Sequence, residues 1–327
     1  MDLVTGSTGL AGFHVLHELV RQGNQVRAII RKKSDGEKIT ERLIGLGIKD
    51  NYPEFHESDI LDPSGIFEAC QGVRNIYHCA GHVSFNRNDR DELIKVNSRG
   101  TANLVNQAIL CNCNKFIHVS SVAALGVPKS ASDVNETFHF ENKAGVSFYA
   151  LSKHLAEREI WRGIEEGLNA VIVSPSIILG SGNWKRSSMR IFDRAAHGMI
   201  FYSPGSGGFI DARDLASLMI ILAESKIKSE LFIVNGANIS FHDLFNLICN
   251  ELGVKAPKKR APRWVAEIMW RMEKIIYTFT NRQPLLTRET VESAFKNKSY
   301  DSGKITEATK FKFTRIEETI KWIVESR

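Results

Sequence analysis

Short apolar runs alternate with helical patterns over the first two thirds of the chain. The apolar, β-branched runs are typical of strands, and they fall at residues 3–4, 25–30, 54–56, 75–79, 115–119, 170–173 and 231–234. Helical spacing of apolar positions falls between them, at residues 10–22, 90–110 and 149–167, and again at residues 241–252. Strands separated by helices form right-handed crossovers, so the pattern predicts an α/β fold with a doubly wound parallel sheet.

The alternation loosens near residue 176, where the chain becomes rich in Gly, Ser and aromatic residues. We therefore expect residues 1–175 to form the sheet domain and residues 176–327 to form mainly a smaller lobe. At least one strand and helix, at about residues 210–236, should return to the sheet. Ligands of open α/β folds bind at the carboxyl ends of the strands, which this smaller lobe would cover.

Composition excludes several classes of protein. The 327 residues are 43% hydrophobic and 24% charged, which is typical of a globular chain and not of a disordered or coiled-coil one. The five cysteines are scattered and odd in number, so we expect no disulfide framework and a cytoplasmic setting. Apolar runs are too short for an integral membrane segment. The net charge of +6 comes without a basic tail or recognition module, so no nucleic-acid partner is expected.

A glycine-rich turn follows the first strand and opens the first helix. It reads Thr5-Gly6-Ser7-Thr8-Gly9-Leu10-Ala11-Gly12. Gly6 suits the tight turn, Gly9 allows close approach of a pyrophosphate, and Gly12 allows the helix to pack on the strand. The free N–H groups of the helix would face the anion. This placement predicts an NAD(P)-binding Rossmann domain.

The end of the second strand bears on the choice between NAD and NADP. Arg31 stands where an acidic residue would bind the ribose hydroxyls of NAD, and Lys32 and Lys33 follow it. A guanidinium can bind a 2′-phosphate through two hydrogen bonds, so the sequence favours NADP. Asp35 lies close enough to keep NAD as the alternative.

Tyr149 and Lys153 lie four residues apart and share one face of the predicted helix. A phenol has a pKa near ~10, and a neighbouring ammonium favours the phenolate that can exchange a proton with a substrate hydroxyl or carbonyl. The strand ending in Ser120-Ser121 precedes this pair. Cys111 and Cys113 have no further Cys or His at ligand spacing, so no metal site is predicted.

Taken together, these motifs resemble the extended short-chain dehydrogenases/reductases, the NAD(P)-dependent epimerase/dehydratase superfamily. The likeness covers nearly the whole chain and is closest to the branch of dihydroflavonol reductases and 3β-hydroxysteroid dehydrogenases. Besides the glycine turn, the motifs that carry it are Ser58-Asp59-Ile60, Tyr77-His78-Cys79-Ala80-Gly81, Val96-Asn97-Ser98-Arg99-Gly100-Thr101, Ser120-Ser121, Tyr149 with Lys153, Ser174-Pro175-Ser176, and Phe209-Ile210-Asp211 before Arg213-Asp214.

The resemblance implies roles for individual residues. Tyr149 would transfer the proton, Ser121 would hydrogen-bond the substrate oxygen, and Lys153 would support the tyrosine and bind the nicotinamide ribose. Ser120 is the alternative to Ser121. The cofactor contacts implied by the turn and by the family are Thr5, Gly6, Ser7, Thr8, Gly9, Leu10, Arg31, Lys32, Asp59, Ile60, Ala80, Gly81, Lys153, Pro175 and Ser176. Substrate contacts are expected at His82, Ser84 and Ser121, and family members often form homodimers through the helices containing Asn97 and Tyr149.

The leading functional hypothesis is an NADP(H)-dependent oxidoreductase that acts on a secondary alcohol or carbonyl. A nucleotide-sugar epimerase or dehydratase is the alternative, although Arg-x-x-Asn is absent after the sixth strand and Val-Ala-Ala replaces the dehydratase Asp-Glu pair after Ser121. A non-catalytic NADP-binding sensor or scaffold is the third. The segment at residues 263–280 is aromatic and basic, and it fits an interfacial membrane helix, a cap over an apolar substrate or, as we favour, part of the core of the smaller lobe. Its aromatic and basic residues are Trp264, Trp270, Tyr277, Phe279, Arg263, Arg271 and Lys274.

Overall fold

The computed structural model of the chain describes residues 1–126, 133–138, 140, 146–280 and 287–326, without the side chains of residues 87 and 274–280. The strands of this part are β1 (Asp2–Thr5), β2 (Val26–Ile30), β3 (Glu54–Glu57), β4 (Asn75–His78), β5 (Lys115–Val119), β6 (Ala170–Pro175), β7 (Ile177–Leu179), β8 (Phe201–Tyr202), β9 (Ser206–Asp211), β10 (Glu230–Val234), β11 (Ala237–Ser240) and β12 (Lys259–Arg260).

The α-helices of the same part alternate with these strands. They are α1 (Leu10–Arg21), α2 (Lys33–Gly45), α3 (Pro63–Ala69), α4 (Arg90–Ile94), α5 (Gly100–Leu110), α6 (Phe148–Glu165), α7 (Arg190–Ala196), α8 (Ala212–Glu224), α9 (Phe241–Glu251), α10 (Arg263–Thr280), α11 (Arg288–Ala294), α12 (Gly303–Thr309) and α13 (Ile316–Glu325).

Seven parallel strands form the central sheet, in the order β10-β6-β5-β4-β1-β2-β3. Successive side chains of a strand point to opposite faces, so Leu3 and Val4 belong to two different apolar clusters. Helices α1, α2 and α8 cover one face, and α3, α5 and α6 cover the other. Because apolar side chains are buried on both faces, the strands read as continuous hydrophobic runs. The predicted α/β fold with a doubly wound parallel sheet is confirmed.

The strand order reverses between β1 and β4, which lie side by side at the middle of the sheet. Chains leave these two strands in opposite directions, and the crevice that opens between them is where open α/β sheets bind ligands. Thr5 and His78, the last residues of β1 and β4, are paired across this crevice. The predicted glycine turn therefore lies at the position that this architecture reserves for a ligand.

A smaller apolar cluster lies beyond the carboxyl ends of the strands. A three-stranded sheet in the order β11-β9-β7 packs with α7, α9 and α13 around Phe192, Phe209 and Leu244. Residues 257–263, a basic segment that contains two prolines, include β12, which pairs with β8. No helix in the described ranges combines the length and the hydropathy needed to cross a membrane.

One predicted helix is divided in the structure. Residues 90–110 read as a single helix, but α4 is followed by a π-helical segment, Lys95–Arg99, before α5 begins. A π-helical turn accommodates one extra residue and re-aims a side chain, and such turns are frequent at functional sites. Here the side chain that faces inward from the segment is Asn97, whose contacts are described below.

Candidate active site

The glycine turn is fixed by backbone geometry. Gly6 has a φ of +70°, and a Cβ atom there would lie 2.6 Å from the backbone nitrogen of Ala80. The turn closes with a hydrogen bond of 2.9 Å from the Gly9 N–H to the Gly6 carbonyl. A Cβ atom on Gly12 would overlap the Gly6 carbonyl oxygen. Gly6 and Gly12 therefore accept only glycine. Thr8 and Gly9 are exposed at the start of α1, where a helix N-terminus can bind an anion.

Beneath the turn, a buried polar chain joins the ends of β1 and β4. The Thr5 hydroxyl accepts a hydrogen bond of 3.1 Å from the Ala80 N–H and lies 2.8 Å from Nδ1 of His78. Nε2 of His78 lies 2.9 Å from the Thr101 hydroxyl. Burial lowers the pKa of His78 to about 3, so this ring is neutral at physiological pH. This series of hydrogen bonds ties the ends of β1 and β4 together at the floor of the crevice.

The predicted adenosine contacts lie along the same edge of the sheet. Arg31 and Lys32 are exposed just after β2, and Lys32 occupies the N-cap position of α2. Asp59 follows β3, and its carboxylate accepts a hydrogen bond of 2.9 Å from the Leu61 N–H. Ile60 is buried against Gly100. The carboxyl ends of parallel strands meet at one edge, which is why residues so distant in sequence come together.

Tyr149 lies in the first turn of α6. The helix begins after Ser147, whose hydroxyl accepts a hydrogen bond of 3.0 Å from the Ala150 N–H. The ring of Phe85 meets the Tyr149 ring edge to face, with 5.7 Å between the centroids. Burial raises the pKa of the Tyr149 phenol, and a hydrogen-bonding interaction with the Ser121 hydroxyl opposes this shift. Of the two paired serines, Ser121 is therefore the one whose hydroxyl interacts with the Tyr149 phenol.

Lys153 lies one helical turn further along and is buried. Its ammonium donates a hydrogen bond of 2.8 Å to the carbonyl oxygen of Val119, the last residue of β5. Burial lowers the Lys153 pKa to about 8, and the charges of Glu157 and Cys79 oppose this. Nζ is 3.3 Å from the position that a Cβ on Gly81 would occupy, so a larger residue at position 81 would crowd it.

Glu157, which sequence reasoning missed, lies one further turn along α6. Its carboxylate accepts a hydrogen bond of 2.5 Å from the Ser120 hydroxyl and one of 3.4 Å from the Ser174 hydroxyl. Burial raises the Glu157 pKa to about 7 against the lowering effect of those bonds and of Lys153. The signal in the sequence was the spacing of four residues from Lys153. The two paired serines therefore have different partners: Ser120 bonds to Glu157, whereas Ser121 faces Tyr149.

Asn97 is the second residue that the sequence left without a role in the site. Its amide oxygen accepts a hydrogen bond of 2.7 Å from the His82 N–H, and its amide nitrogen donates one of 2.9 Å to the His82 carbonyl. The same nitrogen donates to the Ser152 hydroxyl at 2.8 Å. The π-helical segment that carries Asn97 therefore fixes the loop after β4 to the second turn of α6.

The predicted substrate contacts differ in their surroundings. Ser84 is buried, and its hydroxyl donates a hydrogen bond of 2.5 Å to Asp89, so it is committed to its own loop. His82 is half-buried, with Nε2 at 3.9 Å from the Asp89 carboxylate. Phe85 and Val83 are exposed on the same loop. Of the loop at residues 126–147, residues 127–132, 139 and 141–145 lie outside the described residues.

Two features fit a nicotinamide dinucleotide. The cradle at Gly6 and Gly12 has no room for a Cβ atom, so no side chain stands between its backbone and a bound pyrophosphate. Ser176 follows Pro175 at the end of β6, and its buried hydroxyl has no hydrogen-bond partner in the described part of the chain. Buried hydroxyls normally have a partner, so this one is available to a bound group. Thr5–Leu10, Arg31, Lys153 and Ser176 would hold such a group.

Comparison with known proteins agrees with this geometry. Residues 3–234 match the model of the NAD dependent epimerase/dehydratase family. The chain is 30% identical over 263 residues to sterol demethylase protein B of Methylococcus capsulatus, covering 80% of this chain and 77% of that protein. It is 26% identical over 311 residues to a putative dihydroflavonol 4-reductase of Synechocystis, covering 92% of this chain and 87% of that protein.

Solved structures show the same fold. The crystal structure of gox2253 superimposes with a TM-score of 0.80 at 27% identity, covering 100% of this chain and 97% of the other. The UDP-glucose 4-epimerase of Thermotoga maritima superimposes with a TM-score of 0.79 at 18% identity, covering 100% and 98%. The chain therefore belongs to the NAD-dependent epimerase/dehydratase family, and it is an NAD(P)-dependent enzyme of the extended short-chain dehydrogenase/reductase type.

Proposed function

We propose that the protein is an NADP(H)-dependent oxidoreductase that interconverts a secondary alcohol and a carbonyl compound. The observation that carries this proposal is the Tyr149 phenol, flanked by the Ser121 hydroxyl and by the exposed ring of Phe85. A phenol and a hydroxyl can together bind one substrate oxygen, and the apolar ring suits an apolar substrate. Relatives named as dihydroflavonol 4-reductase and cinnamoyl-CoA reductase support the same direction of chemistry.

Each polar residue of the site has a distinct task in this mechanism. Ser121 donates a hydrogen bond to the substrate oxygen and orients it, while Tyr149 gives that oxygen a proton in reduction and takes it back in oxidation. Lys153, held by the Val119 carbonyl, keeps a positive charge beneath the site. Bound nicotinamide supplies the hydride chemistry. Proton transfer by a positioned side chain contributes roughly 10²–10⁴-fold to the rate.

The choice of NADP rests on Arg31 and Lys32. Both side chains are exposed at the carboxyl end of β2, where α2 begins. A 2′-phosphate would meet a guanidinium there in place of the carboxylate that binds ribose hydroxyls in NAD enzymes. Asp35, in the first turn of α2, is the nearest acidic residue in the sequence.

A cofactor titration tests this choice. Fluorescence quenching is followed with NADPH and with NADH for wild type, Arg31→Asp and, as a control, Lys49→Asp, which makes the same charge change at an exposed residue after α2. We expect wild type and the control to bind NADPH more tightly than NADH, by about tenfold or more. Arg31→Asp should lose that preference. Equal binding of the two cofactors by wild type would refute the NADP assignment.

The alternative is a nucleotide-sugar epimerase or dehydratase. Many such enzymes have Arg-x-x-Asn after the sixth strand, with the Asn facing the diphosphate. Ser174 holds the first of these positions here, is buried and donates to Glu157, while the apolar Ile177 holds the last. Thermal-shift screening separates the two functions: apolar ketones should raise the melting temperature with NADP bound, and UDP-sugars should not. A non-catalytic sensor would respond to NADP alone.

A further inference from the structure

Helix α10 presents apolar side chains to solvent. Trp264, Ile268 and Met272 recur every four residues, and 67%, 49% and 57% of their surface is exposed. Met269 is exposed beside them, whereas Ala266 on the opposite side is buried. A surface helix normally turns its apolar side toward the protein, whereas α10 leaves these apolar side chains uncovered. The core role favoured from the sequence does not apply to Trp264, and the side chains of Tyr277, Phe279 and Lys274 lie outside the described residues.

The helix is anchored in this orientation. Just before it, β12 pairs with β8, and the Ala261 N–H donates a hydrogen bond of 2.9 Å to the Tyr202 carbonyl. On its inner side, Glu273 lies 4.0 Å from Arg194 of α7. The pairing also brings Ile200, 69% exposed, next to Lys259. We define the α10 face as Ile200, Trp264, Ile268, Met269 and Met272.

Cationic side chains surround the α10 face. Residues 255–273 contain six Lys and Arg residues, all exposed, against two carboxylates, Glu267 and Glu273. Glu267 is bound to Trp270 and Arg271, and Glu273 faces Arg194. This short segment therefore carries most of the net charge of +6 of the whole chain. The cations are Lys255, Lys258, Lys259, Arg260, Arg263 and Arg271.

We propose that the α10 face docks the protein on the surface of an anionic lipid bilayer. A helix with an apolar side, a Trp and flanking Lys and Arg lies in the plane of a membrane interface without crossing it. The charge selects this occupant over a second copy of the chain, because two copies would bring like charges together. Each basic side chain near an anionic surface adds to the attraction. The proposal does not depend on the proposed reaction.

Vesicle flotation of the full chain tests the docking. Wild type should bind vesicles of phosphatidylcholine with phosphatidylglycerol, should not bind phosphatidylcholine alone, and should bind less at high salt because the attraction is screened. Replacing Trp264, Ile268 and Met272 by Ser should reduce binding roughly tenfold or more. The pair Lys258→Glu and Arg260→Glu should reduce it similarly.

The control variant carries three Ser replacements at Ile44, Phe67 and Ile221, which are exposed large hydrophobic residues on α2, α3 and α8. It should bind vesicles as wild type does, and circular dichroism should show that all variants fold. Absence of wild-type binding, or equal binding by the α10 variant, overturns the proposal. A concentration-dependent dimer of wild type that the α10 variant no longer forms also overturns the proposal. A raised KM of the α10 variant for an apolar ketone, without any vesicle binding by wild type, overturns it too.

Discussion

Helices α6 and α10 are both eighteen residues long, but α6 buries polar side chains whereas α10 exposes apolar ones. Helix α6 buries an ammonium, a carboxylate and a hydroxyl, those of Lys153, Glu157 and Ser152. Helix α10 exposes a tryptophan, an isoleucine and methionines. The periodic pattern of a sequence shows that a helix forms, but the groups offered by neighbouring elements decide which side is buried.

The two helices differ in whether these side chains have partners within the protein. A buried polar group costs several kcal/mol unless it is hydrogen-bonded, and on α6 each one is bonded. Lys153 donates to Val119, Glu157 accepts from Ser120, and Ser152 accepts from Asn97. On α10 the exposed apolar side chains forgo about 25 cal/mol for each Å² left in water. Both arrangements go against the usual preference of the side chains, and such departures concentrate at functional sites.

The largest expected effect is on α6. Replacing Tyr149 by Phe removes the proton donor while keeping the ring that contacts Phe85, so kcat should fall by roughly 10²–10⁴-fold. Steady-state kinetics with a ketone substrate measure this, and Tyr52→Phe, at an exposed position, serves as control. Cofactor binding should be unchanged in both variants. Full activity of Tyr149→Phe would contradict the proposed role of the phenol in proton transfer.

A matched pair of isoleucines tests the burial difference directly. Ile160 on α6 is fully buried, and Ile268 on α10 is about half exposed. Ile160→Ala should lower the free energy of unfolding by about 2–5 kcal/mol because it leaves a cavity in the core. Ile268→Ala should change it by less than about 0.5 kcal/mol. Urea denaturation measures both, and similar losses would mean that α10 packs its apolar side against the protein.

The fold and most of the candidate site follow from local sequence signals. Gly6, Gly9 and Gly12 predict the turn, and only glycine fits at Gly6 and Gly12. Strand endings predict which residues share an edge. Strand and helix periodicity placed the sheet strands to within one or two residues of the observed bounds. These features depend on neighbours close in sequence or on a topology with few alternatives.

What the sequence left open depends on long-range contacts. Glu157 lies four residues after Lys153, but this spacing alone does not distinguish it from the other polar residues of the helix. Its contacts with Ser120 and Ser174 do. The π-helical turn at Asn97 follows from bonds to His82 and Ser152, which no local pattern contains. The exposed side of α10 was unpredictable for the same reason, since its spacing also fits a buried helix.

The smallest expected effect is a shift in pH dependence on replacing Glu157 by Gln. The charge of Glu157 raises the pKa of Lys153, which burial has lowered to about 8, so its removal should lower that pKa further. The alkaline limb of kcat/KM should then move to lower pH, with activity several-fold below wild type above pH ~8 and near wild type at pH ~6. Glu159→Gln, on the same helix and paired with Arg162, is the control.

The same replacement should raise stability relative to wild type at high pH, where it lowers activity. The folded pKa of Glu157 is raised to about 7 from 4.5, so the folded state binds more protons than the unfolded state between these values. Wild type therefore loses stability from this group as pH rises through that window, whereas a glutamine side chain in its place has no proton to lose. Thermal unfolding at pH ~5 and ~8 should show the variant gaining relative to wild type at the higher pH. A stability change without a moved alkaline limb would make Glu157 a packing residue, uncoupled from Lys153.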